Sequence, residues 1–111
     1  MAKATQFIQD GKRLDYLNTG SEAINYLDII AGMGRVFVAA ETILSQATGS
    51  VFAEGVFELP KAAEAFTFAQ AVYYNATAGN ITGTSTGNIL AGYAVAPAAS
   101  GTATAQIKIN A

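Results

Sequence analysis

Apolar and polar residues alternate most cleanly over Val51 to Lys61 and again over Thr102 to Ile109. In the first stretch Val51, Ala53, Gly55, Phe57 and Leu59 fall on one face of an extended strand. Phe52, Glu54, Val56 and Glu58 fall on the other, where two carboxylates reach water. A period of two predicts a strand buried on one side and half-wet on the other. Pro60 has no N–H to give to a ladder, so the strand ends there or lies at a sheet edge. In the second stretch Ala103, Ala105, Ile107 and Ile109 point inward, and Thr102, Thr104, Gln106 and Lys108 outward.

The remaining pattern supplies strands to assemble around the first stretch. Thr5 to Gln9 and Arg13 to Leu17 flank Asp10-Gly11, a strong hairpin signal. Ile24 to Ile30 reads as a strand with Asp28 facing water, and Gly32-Met33-Gly34 turns it into a strand over 35–39. Ala39 to Ala47 favours helix locally but is short and closed by Thr48-Gly49, so a turn with a short extended piece is expected. Residues 60–65 fit a single helical turn with Pro60 at its first position. Phe68 to Tyr74 is an aromatic-rich strand, followed by a loop over 75–80, a short return at Ile81-Thr82 and a polar loop over 83–87. Ile89 to Val95 is apolar at both sets of alternate positions and is expected to be buried on both faces. Pro97 to Gly101 then breaks the chain.

The count is about eight short strands at the spacing of an all-β fold, a single compact antiparallel β-sandwich or barrel with at most one short helical turn. No internal repeat and no dividing linker is visible, so residues 1–111 are expected to form one domain.

Composition narrows the function. Cysteine, histidine and tryptophan are all absent. That removes disulfides, the commonest general base and metal ligand, and every thiol nucleophile. A formal charge of −2 argues against a partner recognised through its phosphates. The opening residues lack the apolar core of a signal peptide, and no stretch has the apolar length of a membrane helix. The expectation is synthesis in the cytoplasm, with neither nucleic acid nor membrane as partner. Charge is also unevenly placed: thirteen of fourteen charged residues lie at or before Glu64, and the 43 residues from Ala65 to Ile107 carry none. Depletion of charge is typical of interface cores, and small domains without cysteine often depend on oligomerisation. Contact with other chains is therefore expected over the latter part.

Candidate chemistry is thin. Gly32-Met33-Gly34 lacks the third glycine of a dinucleotide fingerprint and precedes a strand pattern. Gly83 to Gly87 has the backbone donors of a phosphate cradle but no Lys or Arg close in sequence. Glu54 and Glu58 sit about 13 Å apart along a strand, too far to share a proton or clamp a metal. Asn75-Ala76-Thr77 and Asn80-Ile81-Thr82 match a glycosylation acceptor pattern but read more simply as turn residues. Tyr26, Tyr73, Tyr74 and Tyr93 could form a ligand or glycan platform, although aromatic residues on strands more often pack in cores. No catalytic residue, metal or cofactor is assigned.

Four segments in order, Glu54-Gly55-Val56-Phe57-Glu58-Leu59-Pro60-Lys61, Ala71-Val72-Tyr73-Tyr74-Asn75, Leu90-Ala91-Gly92-Tyr93-Ala94 and Ile107-Lys108-Ile109, resemble a family of small phage proteins regarded as capsid decoration, or cement, proteins. The likeness extends over nearly the whole chain, including Phe7 to Tyr16. Gln70-Ala71 departs from the Gly-Asp common there, and Tyr74 and Asn75 stand where Trp and Asp are common. The resemblance implies a virion protein without enzymatic activity, on the outer surface of the head, made in a bacterial host. Its partners would be the major capsid protein and itself, as a homo-oligomer and most simply a trimer. Residues 1–9 could form an arm that adds a strand to a capsid loop, through Thr5, Gln6, Phe7, Ile8 and Gln9. Tyr73, Tyr74 and Tyr93 are the other candidate contacts. The rival readings are a head–tail or tail-associated structural subunit, and a carbohydrate-binding module using the same three tyrosines.

Overall fold

The computed structural model describes residues 2–3, 5–6, 9 and 11–111. Among these residues nine strands follow in chain order: β1 (Arg13–Leu17), β2 (Ile29–Ala31), β3 (Val36–Ala39), β4 (Thr48–Phe52), β5 (Gly55–Pro60), β6 (Ala71–Asn75), β7 (Asn80–Thr82), β8 (Ile89–Ala94) and β9 (Thr104–Ile109). They make two antiparallel sheets, one in the order β1-β4-β3-β2 and the other in the order β5-β9-β8-β6-β7. No helix occurs among the described residues. The fold is the all-β sandwich that the alternation predicts.

Several local expectations are corrected. Val51 to Leu59 is not one strand: β4 ends at Phe52, the chain bends at Ala53-Glu54, and β5 begins in the second sheet at Gly55, whose φ is +133°. Each half keeps its own period, but Phe52, expected on the half-wet face, packs in the main core while Val51 lies in another cluster. Pro60 closes an edge strand as its missing donor requires. The helical turn over 60–65 is absent; Lys61 instead bridges to Ile81. Thr5, Gln6 and Gln9 carry no strand, and β1 pairs with β4, so the expected hairpin is not formed among the described residues. Phe7 and Ile8 lie outside them. The strand expected over 24–30 shrinks to β2, and that over 68–74 starts only at Ala71. In both places a β-turn intervenes, with Leu27 at φ 70° and Ala69 at φ 67°.

Those turns expose a repeat that the sequence conceals. Leaving out β7, the second sheet has the strand order of the first, with β5, β6, β8 and β9 in the places of β1, β2, β3 and β4. An isolated antiparallel bridge, Ile24 to Ile43, joins the two loops of the first unit, and Phe66 to Ala98 does so in the second. Leu27 N–H donates to the Ala39 carbonyl and Ala39 N–H to that of Asp28, at 2.8 and 2.9 Å. Ala69 and Ala94, with Gln70, repeat the pair at 2.7 and 3.0 Å. Just beyond the first strand of each unit stands a buried polar residue. Asn18 Nδ2 donates to the Ile43 carbonyl at 3.1 Å, and Lys61 Nζ to that of Ser100 at 3.3 Å. Lys61 also lies 5.8 Å from the Phe66 ring centroid, where its charge meets the negative face of the aromatic.

Each unit has two faces, set by the pleat. The front face carries Val51 in the first unit and Ile107 in the second; the back face carries Phe52 and Lys108, their neighbours along β4 and β9. The main core forms where the back of the first unit, with Ile29, Val36, Val38 and Phe52, meets the front of the second, with Leu59, Phe66, Val72, Ile107 and Ile109. Each aliphatic side chain fully buried there contributes roughly 1.5–3 kcal/mol. A second cluster of Ile30, Ala39, Ile43 and Val51 lies on the front of the first unit, with Leu14, Tyr16 and Phe37 half-buried around it. Asn110 ties the units together: its side chain bonds both the N–H and the carbonyl of Val36 and the carbonyl of Ala53.

Candidate partner-contact surface

The pleat of β5, β6, β8 and β9 decides which of the candidate tyrosines meet. Ala71 pairs with Tyr93, Tyr93 with Lys108, and Lys108 with Val56, so one row crosses four strands on the back of the second sheet. Val72 lies on the opposite, core side, which returns Tyr73 to the back, where it pairs with Leu90. Tyr73 and Tyr93 therefore share a face. Tyr74 points the other way and packs against the main core. Ile89, Ala91 and Ala94 likewise face the core, whereas Leu90 is 45% exposed. The expectation of burial on both sides of this strand is thus overturned.

Two members of the surface were not among the expected contacts, although the alternation had put Val56 on the outward face. Val56 is 55% exposed, and Leu90 stands beside Tyr73. The signal for Val56 was its place between Glu54 and Glu58; for Leu90 there was none, because every neighbour is also apolar. Glu58, Gln106 and Thr104 stand along one side, and Lys108 lies within the row between Tyr93 and Val56, all four exposed. Tyr73, Leu90 and Tyr93 thus form an apolar patch that Lys108 separates from Val56. Apart from Leu17 at the end of β1, the other large exposed apolar side chains among the described residues sit in turns and loops. Tyr26 and Phe68 hold equivalent places in the two units and are 58% and 68% exposed.

Polar groups elsewhere are engaged internally. Gly83 N–H donates to Glu64 Oε1 at 2.8 Å, Thr84 N–H to Thr82 Oγ1 at 3.2 Å, and Asn88 N–H to the Ser85 carbonyl at 3.1 Å. Two of the donors in the stretch 83–87, those of Gly83 and Thr84, are thus already engaged by Glu64 and Thr82. Asn75 Oδ1 accepts the N–H groups of Thr77 and Ala78 at 3.0 and 3.1 Å, as a turn residue does. A shallow cavity of about 250 Å³ beside Glu58 and Pro97 offers one carboxylate, already accepting the Thr104 hydroxyl at 2.8 Å. Among the described residues no three His, Cys, Asp or Glu side chains gather at metal-binding distance. Thr5, Gln6 and Gln9 are exposed, with no strand partner among the described residues.

Comparison with known proteins gives one match. A sequence model of a family described as phage cement protein matches residues 8–109. No curated protein and no solved structure matches the chain.

Proposed function

The chain belongs to the phage cement protein family, and from that premise we propose that it decorates the outer surface of a phage head and stabilises the shell by bridging major capsid protein subunits. The observation that carries this reading is the family match over 8–109. Cement proteins are structural proteins of the capsid, and the role needs contact surfaces rather than an active site. Among the described residues, Thr5, Gln6 and Gln9 ahead of β1 are exposed, and so are Val56 and Leu90 on the back of the second sheet. Bound many times over one shell, modest contacts add through multivalency and oppose the pressure of packaged DNA. A homotrimer would place three such surfaces around one capsid axis.

In this reading the segment containing Thr5, Gln6, Phe7, Ile8 and Gln9 pairs its main chain with a capsid loop, and Tyr73 and Tyr93 lie in the contact between neighbouring chains. Main-chain pairing gives affinity without special side chains. Deleting residues 1–8 is expected to leave the melting temperature within a few degrees of the parent and to abolish co-sedimentation with expanded capsids. Undiminished co-sedimentation of the shortened protein would eliminate the arm. Failure of the full-length chain to co-sediment would eliminate the decoration role.

A further inference from the structure

We propose that the chain binds copies of itself head to tail, the front face of the first unit in one molecule receiving the back face of the second unit in the next. This is the contact by which the two units of a single molecule already pack, continued between molecules. It gives the proposed homotrimer an interface, and it rests on that reading only for the number of copies.

The argument comes from comparing equivalent positions. On the back of the first unit, Val36 and Val38 are 1% exposed because the second unit covers them. Their counterparts on the back of the second unit are Leu90, 45% exposed, and Tyr93, half-exposed. On the front of the second unit, Leu59 and Phe66 are 4% and 2% exposed. Their counterparts on the front of the first unit, Tyr16 and Ile24, are only half-buried, as is Phe37. On the front of the first unit Val51, Ile43 and Ala39 are already buried within the chain. What lacks the cover its counterparts have is therefore the rim formed by Tyr16 and Ile24 at one end of the molecule and Leu90 and Tyr93 at the other. The two are matched by the same strand order and pleat that match the internal pair. Joining them buries apolar surface at both ends. An interface between unlike faces closes into a ring when the rotation per copy allows it.

One position departs from the internal pattern and provides a handle. Lys108 stands where the first unit has Phe52, which packs in the main core and touches the Phe57 ring at a centroid distance of 5.3 Å. A lysine there can lay its stem on an apolar face but must bring its ammonium to the edge, so the contact between molecules is weaker than the one within.

Sedimentation of the full-length protein over a concentration series tests this. Association is expected to rise with concentration, to weaken about tenfold or more in Leu90→Glu, and to strengthen about tenfold in Lys108→Phe. Leu90 is exposed, so its substitution should not disturb the fold, and an unchanged melting temperature checks that. The direction of the contact is tested by mixing. Leu90→Glu spoils only the back face, and Tyr16→Glu only the front, or Tyr16→Thr where the charge lowers the melting temperature because Tyr16 packs on the second cluster. Each alone should therefore stay monomeric, and an equimolar mixture should form pairs that grow no further. A wild-type chain that remains monomeric up to about 1 mM, association indifferent to Leu90→Glu, or a mixture that does not pair would each overturn the interface. Co-sedimentation with capsids separates the two readings. Capsid binding without self-association removes this interface and leaves decoration standing; self-association without capsid binding does the reverse.

Discussion

Replacing Gly92 by alanine is expected to prevent the protein from folding. Gly92 lies in the middle of β8 with φ +151°, a region that L side chains rarely occupy. It pairs with Val72 on one side and Ile109 on the other. The register then shifts, so that Tyr73 pairs with Leu90 and Ala91 becomes an extra residue. Such a bulge bends its strand, and here the bend drives the backbone of β8 against that of β9. A β-carbon on residue 92 would overlap the Lys108 carbonyl oxygen and lie 3.1 Å from the Ile109 α-carbon. Neither obstacle is a flexible side chain. To make room, β8 must leave β9, and with it the ladder that holds Ile107 and Ile109 in the core. The cost should exceed about 4 kcal/mol, against the 5–15 kcal/mol that hold a typical domain together. Gly87→Ala is the control. Its φ is +75°, but nothing lies within 4 Å of the added carbon, so only the backbone strain remains, about 1–2 kcal/mol. Soluble yield and circular-dichroism melting measure both. A Gly92→Ala protein melting close to the parent would contradict the approach of β8 to β9.

The sequence was legible where one face of a strand is wet. From Thr104 on, β9 follows the alternation, with Thr104, Gln106 and Lys108 exposed and Ala105, Ile107 and Ile109 buried, whereas Ala103, expected to point inward, is exposed ahead of the strand. It misled at Ile89 to Ala94, where Leu90 and Tyr93 face outward but are no less apolar than their inward neighbours. That failure has a functional cause in the reading proposed above: a surface meant to be covered by another chain is written in the same residues as a core. The break at Ala53-Glu54 was hidden for a different reason. A strand that changes sheets without changing its period leaves no mark in the alternation, and only Gly55 hints at it.

The repeat was invisible because equivalent positions seldom share identity and, as at Phe52 and Lys108, do not always share polarity. Ile24 matches Phe66, Ile43 matches Ala98, and buried Asn18 matches buried Lys61. Asn18 and Lys61 show how little the backbone asks. Each position needs a donor that reaches a carbonyl across the unit, and an amide or an ammonium will serve. The turns are likewise set by geometry more than by residue type, since Leu27, Gln46 and Ala69 all take positive φ without being glycine. Local strain of this kind persists where surrounding bonds over-determine it, and the paired bonds from Leu27 and Ala69 across to β3 and β8 do so here. Of the candidate contacts, Tyr73 and Tyr93 were legible as a pair only once the register was known. The separation of Tyr74 from Tyr73 follows from the pleat alone.

Asn110→Ala should be the next most damaging single change, through the junction of the two units and not through either sheet. Asn110 Nδ2 donates to the carbonyls of Val36 and Ala53, both at 2.7 Å, and its Oδ1 accepts the Val36 N–H at 3.2 Å. Its own N–H donates to the carbonyl of Ala91 at 2.7 Å, anchoring the end of β9 to the bulge in β8. One side chain thus holds β3, the crossover at Ala53 and the end of β9 in a fixed relation. Alanine would leave three backbone groups at this half-buried junction without those partners. It would also put alanine where φ is 57°, a conformation asparagine tolerates better than most residues. Together these should cost about 3–4 kcal/mol, a fall in Tm on the order of 10–15 °C. Asn110→Gly separates the two causes. Glycine accepts the positive φ and loses the bonds, so it should recover about 1 kcal/mol relative to alanine and no more. If glycine restored the parent Tm, the side-chain bonds would contribute nothing and the damage in alanine would be backbone strain. If alanine itself melted like the parent, the two units would be held by their apolar faces alone.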